Sequence, residues 1–162
     1  MKKFLALVLF VGLPLLVGVL GSVVTAGTVE GWYAEADLAP WNPPSWVFGP
    51  VWTVLYLTMG LAAWLIWLSR SGRGRTSALG LFVAQLVLNS VWTPVFFGGY
   101  PLWGTPALWA AMIVILALIT VLIVTIRAFW RIRTAAGVLL LPYLAWTLYA
   151  STLNLYICLL YT

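Results

Sequence analysis

Of the 162 residues, 64% are apolar and 7% charged, and the mean hydropathy is +1.09; so little polar surface cannot coat a water-soluble globule, and the chain reads as an integral membrane protein. The net charge of +5 comes from eight bases dispersed in short clusters between apolar runs, which suits a membrane surface and argues against a nucleic-acid partner. With no histidine and a single cysteine, Cys158, the chain has no internal disulfide, no thiolate metal cluster and no imidazole ligand for zinc or haem iron.

Five apolar runs follow in order, at 4–25, 43–68, 77–97, 103–126 and 134–161. Each reaches across a hydrocarbon layer of about 30 Å at roughly 1.5 Å per helical residue. The first exceeds the roughly 7–15 residues of a signal-peptide core and is read as a span. The loop 27–42 carries Glu30, Glu35 and Asp37 and no base, and is read as a lid. At its end Asn42 is expected to cap the second helix, with Pro43 and Pro44 in a first turn that needs no N–H there. Gly98-Gly99-Tyr100-Pro101 is read as a turn closing the third span, and 127–133 as a basic connection after the fourth. The fold expected is all-α: a single five-helix transmembrane domain over 1–162.

With five spans, the N-terminus, the second connection and the fourth connection share one side, and that side holds all eight bases while the three acids fall opposite. Retention of Lys and Arg on the cytoplasmic face then places the N-terminus inside and the lid outside. None of the runs contains Asp, Glu, Lys or Arg, which counts against a proton-coupled pump or a charged channel ring.

Helical spacing gathers polar and aromatic residues into stripes: Trp52, Tyr56 and Met59 or Gly60 in the second run; Gln85, Asn89, Trp92 and Phe96 in the third; Tyr143, Trp146, Ala150 and Asn154 in the fifth. Amides and indoles at that depth must bond either neighbouring helices or a ligand. Other tryptophans, such as Trp64, Trp103 and Trp130, fit the aromatic belts at a membrane boundary. Pro94 and Pro142 lie inside runs and should each interrupt a helical hydrogen bond. Gly80 and Ala84 form a small-residue pair on the third helix.

Several motifs lie in one order along the chain: Trp32-Tyr33, L-x-P-W-x-P-P-x-W-V-F over 38–48, P-V-W-T-x-L-Y-x-x-M-G over 50–60, Q-L-x-L-N-x-x-W-x-P-x-F-F-G over 85–98, and P-Y-L-A-W from Pro142 followed by Leu153-Asn154. In these the chain resembles the translocator proteins, also called tryptophan-rich sensory proteins or peripheral benzodiazepine receptors, and among them a bacterial member. The resemblance implies a five-helix bundle, commonly a homodimer, in a bacterial membrane, the inner one favoured. It implies a receptor or carrier that binds porphyrins and flat drug-like molecules such as isoquinoline carboxamides within the bundle, in a sensory or transport role. By the same resemblance the ligand positions are Trp52, Asn89, Trp146 and Ala150, with Trp32 and Tyr33 from the lid; the stripes add Trp92 and Tyr56. Porphyrin enters as ligand and not as a haem-iron cofactor, and membrane lipid is the other partner. Light-dependent porphyrin breakdown through pocket tryptophans is the rival activity, and a structural membrane protein without a ligand is a third reading. No acid–base pair, metal cluster or activated nucleophile in the sequence supports catalysis.

The orientation has a direct test. In a Cys158→Ser background, an impermeant thiol reagent on intact cells should modify a cysteine placed at Glu35 and spare one placed at Ser71; the opposite order of labelling overturns the assignment.

Overall fold

A computed structural model describes residues 1–69 and 72–161; the Arg70 and Ser71 positions of the second connection lie outside the described residues. Helices α1 (Lys2–Thr28), α2 (Phe48–Trp67), α3 (Arg73–Thr93), α4 (Gly99–Trp103), α5 (Thr105–Ile132), α6 (Thr134–Leu139) and α7 (Leu141–Leu160) account for most of the chain, with no strand among the described residues. They combine into five helices long and apolar enough to cross a membrane: Lys2–Tyr33, Ser45–Trp67, Gly74–Trp103, Thr105–Ile132 and Thr134–Leu160. This is a multi-pass membrane protein. Around the bundle the first span packs on the second, the second on the fifth, the fifth on the fourth and the fourth on the third, whose far end returns to the first.

The helix ends depart from the sequence reading, each for a local reason. α1 does not stop near residue 25 but passes into a π-helical stretch, Val29–Tyr33, where Gly31 absorbs a non-helical ψ of −115°. Because no proline interrupts this segment, helix consumes the front of the expected loop 27–42 and leaves 36–44 as the irregular lid. Asn42 does not cap α2. A 3₁₀ turn over Ser45–Val47 starts the helix without a side-chain cap, after Pro44 in extended backbone. Gly98-Gly99-Tyr100-Pro101 is helix and not the expected turn: a π-helical turn over Pro94–Gly98 takes up the N–H missing at Pro94, and helix resumes over Gly99–Trp103, so that Gly104 at φ 65° makes the turn instead. α5 runs to Ile132 and carries Arg127 and Arg131 on its last turns, so only Arg133, in extended backbone, is left as connection. Pro142 breaks the fifth span as expected, at Leu140 between α6 and α7.

Lipid gives helices no hydrophobic reason to associate, so close packing and interhelical hydrogen bonds must hold the bundle. One core joins Met59, Ala62, Ala63 and Ile66 of α2 to Phe82, Leu122, Phe129 and Leu140. A second, nearer the lid, joins Trp92 and Phe96 to Leu108, Ile115, Ala150 and Ile157. α1 is the least embedded helix: only Pro14 and Thr25 are buried, while Leu5, Val8, Leu9, Leu16, Leu20 and Val24 lie exposed where a bilayer would cover them. It is held to α2 at Gly60, where an added Cβ would lie 2.5 Å from the Phe10 carbonyl oxygen and 2.6 Å from the Val11 Cα. Those neighbours are backbone and cannot rotate aside.

Gly60→Val should therefore lower stability in detergent by about 1–3 kcal/mol, the usual cost of overpacking. Gly80→Ala, which meets nothing within 4 Å, should leave the melting temperature unchanged or slightly raised. Equal losses in the two variants would show that the contact at Gly60 does not hold α1.

Candidate functional site

A cavity of about 1130 Å³ opens beneath the lid between α1, α2 and the far end of the third span. α1 contributes Gly18, Ser22 and Thr25; the π-helical turn adds Glu30 and Tyr33; the lid adds Leu38, Ala39 and Asn42; α2 adds Phe48, Trp52 and Tyr56; the third span adds Trp92 and Phe97. Glycine at 18 is required for this shape, because a Cβ there would run into the Tyr56 ring.

Trp52 and Tyr56, one turn apart, stack with centroids 5.5 Å apart and 28° between their planes. The pair is fixed from behind. Tyr56 Oη donates to Asn89 Oδ1 at 2.8 Å, and Asn89 Nδ2 donates to Tyr143 Oη at 3.1 Å, so a single amide bridges α2, α3 and α7. Trp92 forms the opposite wall, stacked on Phe96 at 5.3 Å. Its indole N–H donates to Asn154 Oδ1, and the Asn154 amide donates onward to the Leu108 carbonyl and to Cys158 Sγ. Tyr33 sets its ring edge-on against Phe97 at 5.0 Å and donates to Asn42 Oδ1 at 3.4 Å. The lid is tied across the top to α7: Trp41 donates to Thr152 Oγ1, the Trp41 carbonyl accepts from Tyr149, and the Asp37 N–H donates to Tyr161 Oη.

Four of the sequence-derived positions, Trp52, Tyr56, Trp92 and Tyr33, thus line one cavity. The other four do not. Asn89 is fully buried and spends its amide on two tyrosines, which makes it a helix bridge behind the wall. Ala150 packs in the second core. Trp32 turns away, donating to the Phe97 carbonyl at 2.7 Å and resting on Tyr100, and so anchors the π-helical turn. Trp146 sits behind Phe48, edge-on at 5.8 Å, and lines a separate apolar groove of about 740 Å³ with Pro43, Val51, Val54 and Leu55. Among the described residues, the buried Trp146 indole nitrogen and Gln85 Oε1 find no hydrogen-bond partner, while the Gln85 side-chain amide nitrogen donates to the Phe82 carbonyl.

The α1 wall was not foreseen. A helix apolar on every side has no stripe to read, and the usable signal was compositional: glycines at 18 and 21 beside hydroxyls at 22 and 25.

If Asn89 is a bridge, its removal strands two tyrosine hydroxyls at membrane depth. Asn89→Ala should cost about 1–3 kcal/mol of stability without any ligand present, and Tyr143→Phe, which loses one bond, should cost less. An unchanged melting temperature for Asn89→Ala would remove the bridge from the account.

Comparison with known proteins agrees with the architecture. The TspO/MBR family model matches residues 10–160. The chain is similar to the tryptophan-rich protein TspO of Chlorobaculum tepidum, 38% identical over 155 residues, covering 94% of each chain. It is similar to the translocator protein of Bos taurus, 37% identical over 147 residues, covering 90% of this chain and 83% of the other. The tryptophan-rich sensory protein of Cereibacter sphaeroides is 37% identical over 137 residues, covering 83% of this chain and 81% of the other. A family match over nearly the whole chain, on a bundle of five membrane-crossing helices, establishes that the chain belongs to the TspO/MBR family.

Proposed function

We propose that the protein is a membrane receptor or carrier that takes up flat, largely apolar molecules of the tetrapyrrole class, and drug-like molecules of similar shape, in the cavity beneath the lid. The observation that carries this reading is the wall itself. Phe48, Trp52, Tyr56, Trp92 and Phe97 offer aromatic surface on opposite sides of a space of about 1130 Å³, slightly above the roughly 300–1,000 Å³ usual for small-molecule sites. Trp52 also offers an indole N–H that has no protein partner among the described residues. The names of the relatives, a translocator protein and a tryptophan-rich sensory protein, support a transport or sensory outcome of binding.

Protoporphyrin titrated into purified protein, followed by tryptophan quenching and by the absorbance of the ligand, tests the assignment. Trp52→Ala should weaken binding by about 1–3 kcal/mol through lost stacking, whereas Trp146→Phe, outside the cavity, should stay within about twofold of wild type. Loss of affinity on Trp146→Phe with none on Trp52→Ala would move the site to the groove between α2 and α7. Titrations in the dark and under illumination separate retention of the ligand from its consumption.

A further inference from the structure

We propose that Glu30 is a charge filter at the cavity mouth, so that the site takes flat apolar molecules whose mouth-facing end is neutral or cationic and discriminates against a carboxylate there. This rests on the cavity being the ligand site, as argued above.

Among the described residues, Glu30 is the only one lining the cavity that bears a formal charge. The hydrogen-bonding groups around it compound its effect. Ser22, Thr25 and Thr53 each donate their hydroxyl proton to a carbonyl one turn back in their own helix, at Gly18, Gly21 and Gly49. Tyr56 donates to Asn89, Tyr33 to Asn42, the Asn42 amide to the Pro43 carbonyl, and Trp92 to Asn154. Most side-chain protons of the polar wall are therefore committed to partners within the protein, while the hydroxyl oxygens keep lone pairs. Among the described residues, Trp52, Ser45 and Thr93 keep a side-chain donor uncommitted, as does the second N–H of the Asn42 amide. A guest anion has few donors to meet, whereas an ammonium or a ligand N–H meets many acceptors.

No base among the described residues offsets the carboxylate. Glu35 and Asp37 follow Glu30 on the lid side, while Lys2 and Lys3 begin α1 at the opposite end, where Trp64 donates to the Lys3 carbonyl and Arg75 to the carbonyls of Trp67 and Ser69. The 27 residues from Lys3 to Glu30 correspond to roughly 40 Å of helix, several Debye lengths at physiological salt. Nor does a ligand carboxylate escape by turning inward. The deep end is Leu15, Gly18 and the Tyr56 ring, and burying an ion there without partners costs far more than meeting Glu30 at a wet mouth. For like charges roughly 6 Å apart, repulsion weakens binding between about threefold and a hundredfold, according to whether the mouth screens as water or as protein surface.

The test uses 1-pyrenemethylammonium and 1-pyrenecarboxylate, one flat apolar body with opposite charges, titrated by fluorescence into the full chain in an uncharged detergent. Wild type should bind the ammonium at least about tenfold more tightly; Glu30→Gln should narrow that ratio at least about threefold and Glu30→Lys should invert it. High salt should narrow the wild-type ratio more than that of Glu30→Gln. Glu30 is exposed, so these variants should melt as wild type does. A ratio unaltered by Glu30→Gln, or no saturable binding of either probe, overturns the filter. Protoporphyrin, itself a dicarboxylate, is titrated alongside and separates the two readings: binding that tightens in Glu30→Gln supports both, whereas no binding even in Glu30→Gln, while the pyrene pair behaves as described, removes the tetrapyrrole assignment and leaves the filter standing.

Discussion

The structure depends most on one buried amide. Asn89 accepts from Tyr56 and donates to Tyr143, joining three spans at a depth where no water replaces a lost partner. Because lipid supplies no driving force for helix contact, a bond of this kind does for the bundle what a hydrophobic core does for a soluble domain. It also fixes the Tyr56 ring, against which Trp52 stacks. The wall of the cavity is thus an outgrowth of the helix-joining bond, and a change at Asn89 reaches the cavity through the two rings in front of it.

The cavity itself follows from where glycine lets α1 approach and where it does not. At Gly60 the backbones of α1 and α2 touch, and at Gly18 α1 meets the edge of Tyr56. Beyond those contacts Trp52 and Phe48 stand between the helices, and the space opens toward the lid. Val19 and Val23 line that space and yet are 60% and 70% exposed, so one side of the cavity is a single helix with lipid behind it. That wall is held at the deep end by α2 and at the lid end by the third span, where Gly21 faces Thr93 and Trp32 donates to the Phe97 carbonyl.

The five spans were legible because each is an unbroken apolar run without an internal charge, a pattern that survives any local distortion. Their ends were not, because π-helical turns at Val29–Tyr33 and Pro94–Gly98 carry the chain through residues that ordinarily stop a helix. The same limit applied to the site. Trp52 and Tyr56 stood out as an aromatic stripe on one helix face, and the face was the informative property. For Asn89 and Trp146 the face was legible and the partner was not: a stripe gives a side chain's direction on its own helix, while two tyrosines or a phenylalanine from other spans decide whether it meets a ligand. Trp32 shows the reverse case, where a lid motif fixes the backbone through the Phe97 carbonyl and leaves the cavity to its neighbour Tyr33.

Rigidity and access are divided along the membrane normal. The half near Lys3 is packed, with Met59, Ala62, Ala63 and Ile66 fully buried against α3 and α5, and it holds the helices in register. The lid half has its own core around Trp92 and Phe96, but the lid itself is held by hydrogen bonds that cross between elements: Trp41 to α7, Asp37 to Tyr161, Tyr33 to Asn42. Bonds near an aqueous boundary exchange with water at little net cost, about 0.5–1.5 kcal/mol each, whereas the same bonds at the bilayer centre have no such exchange. A lid can therefore open by trading a few bonds for hydration while the Tyr56–Asn89–Tyr143 bridge, deeper in the bundle, keeps the aromatic wall of the cavity in place.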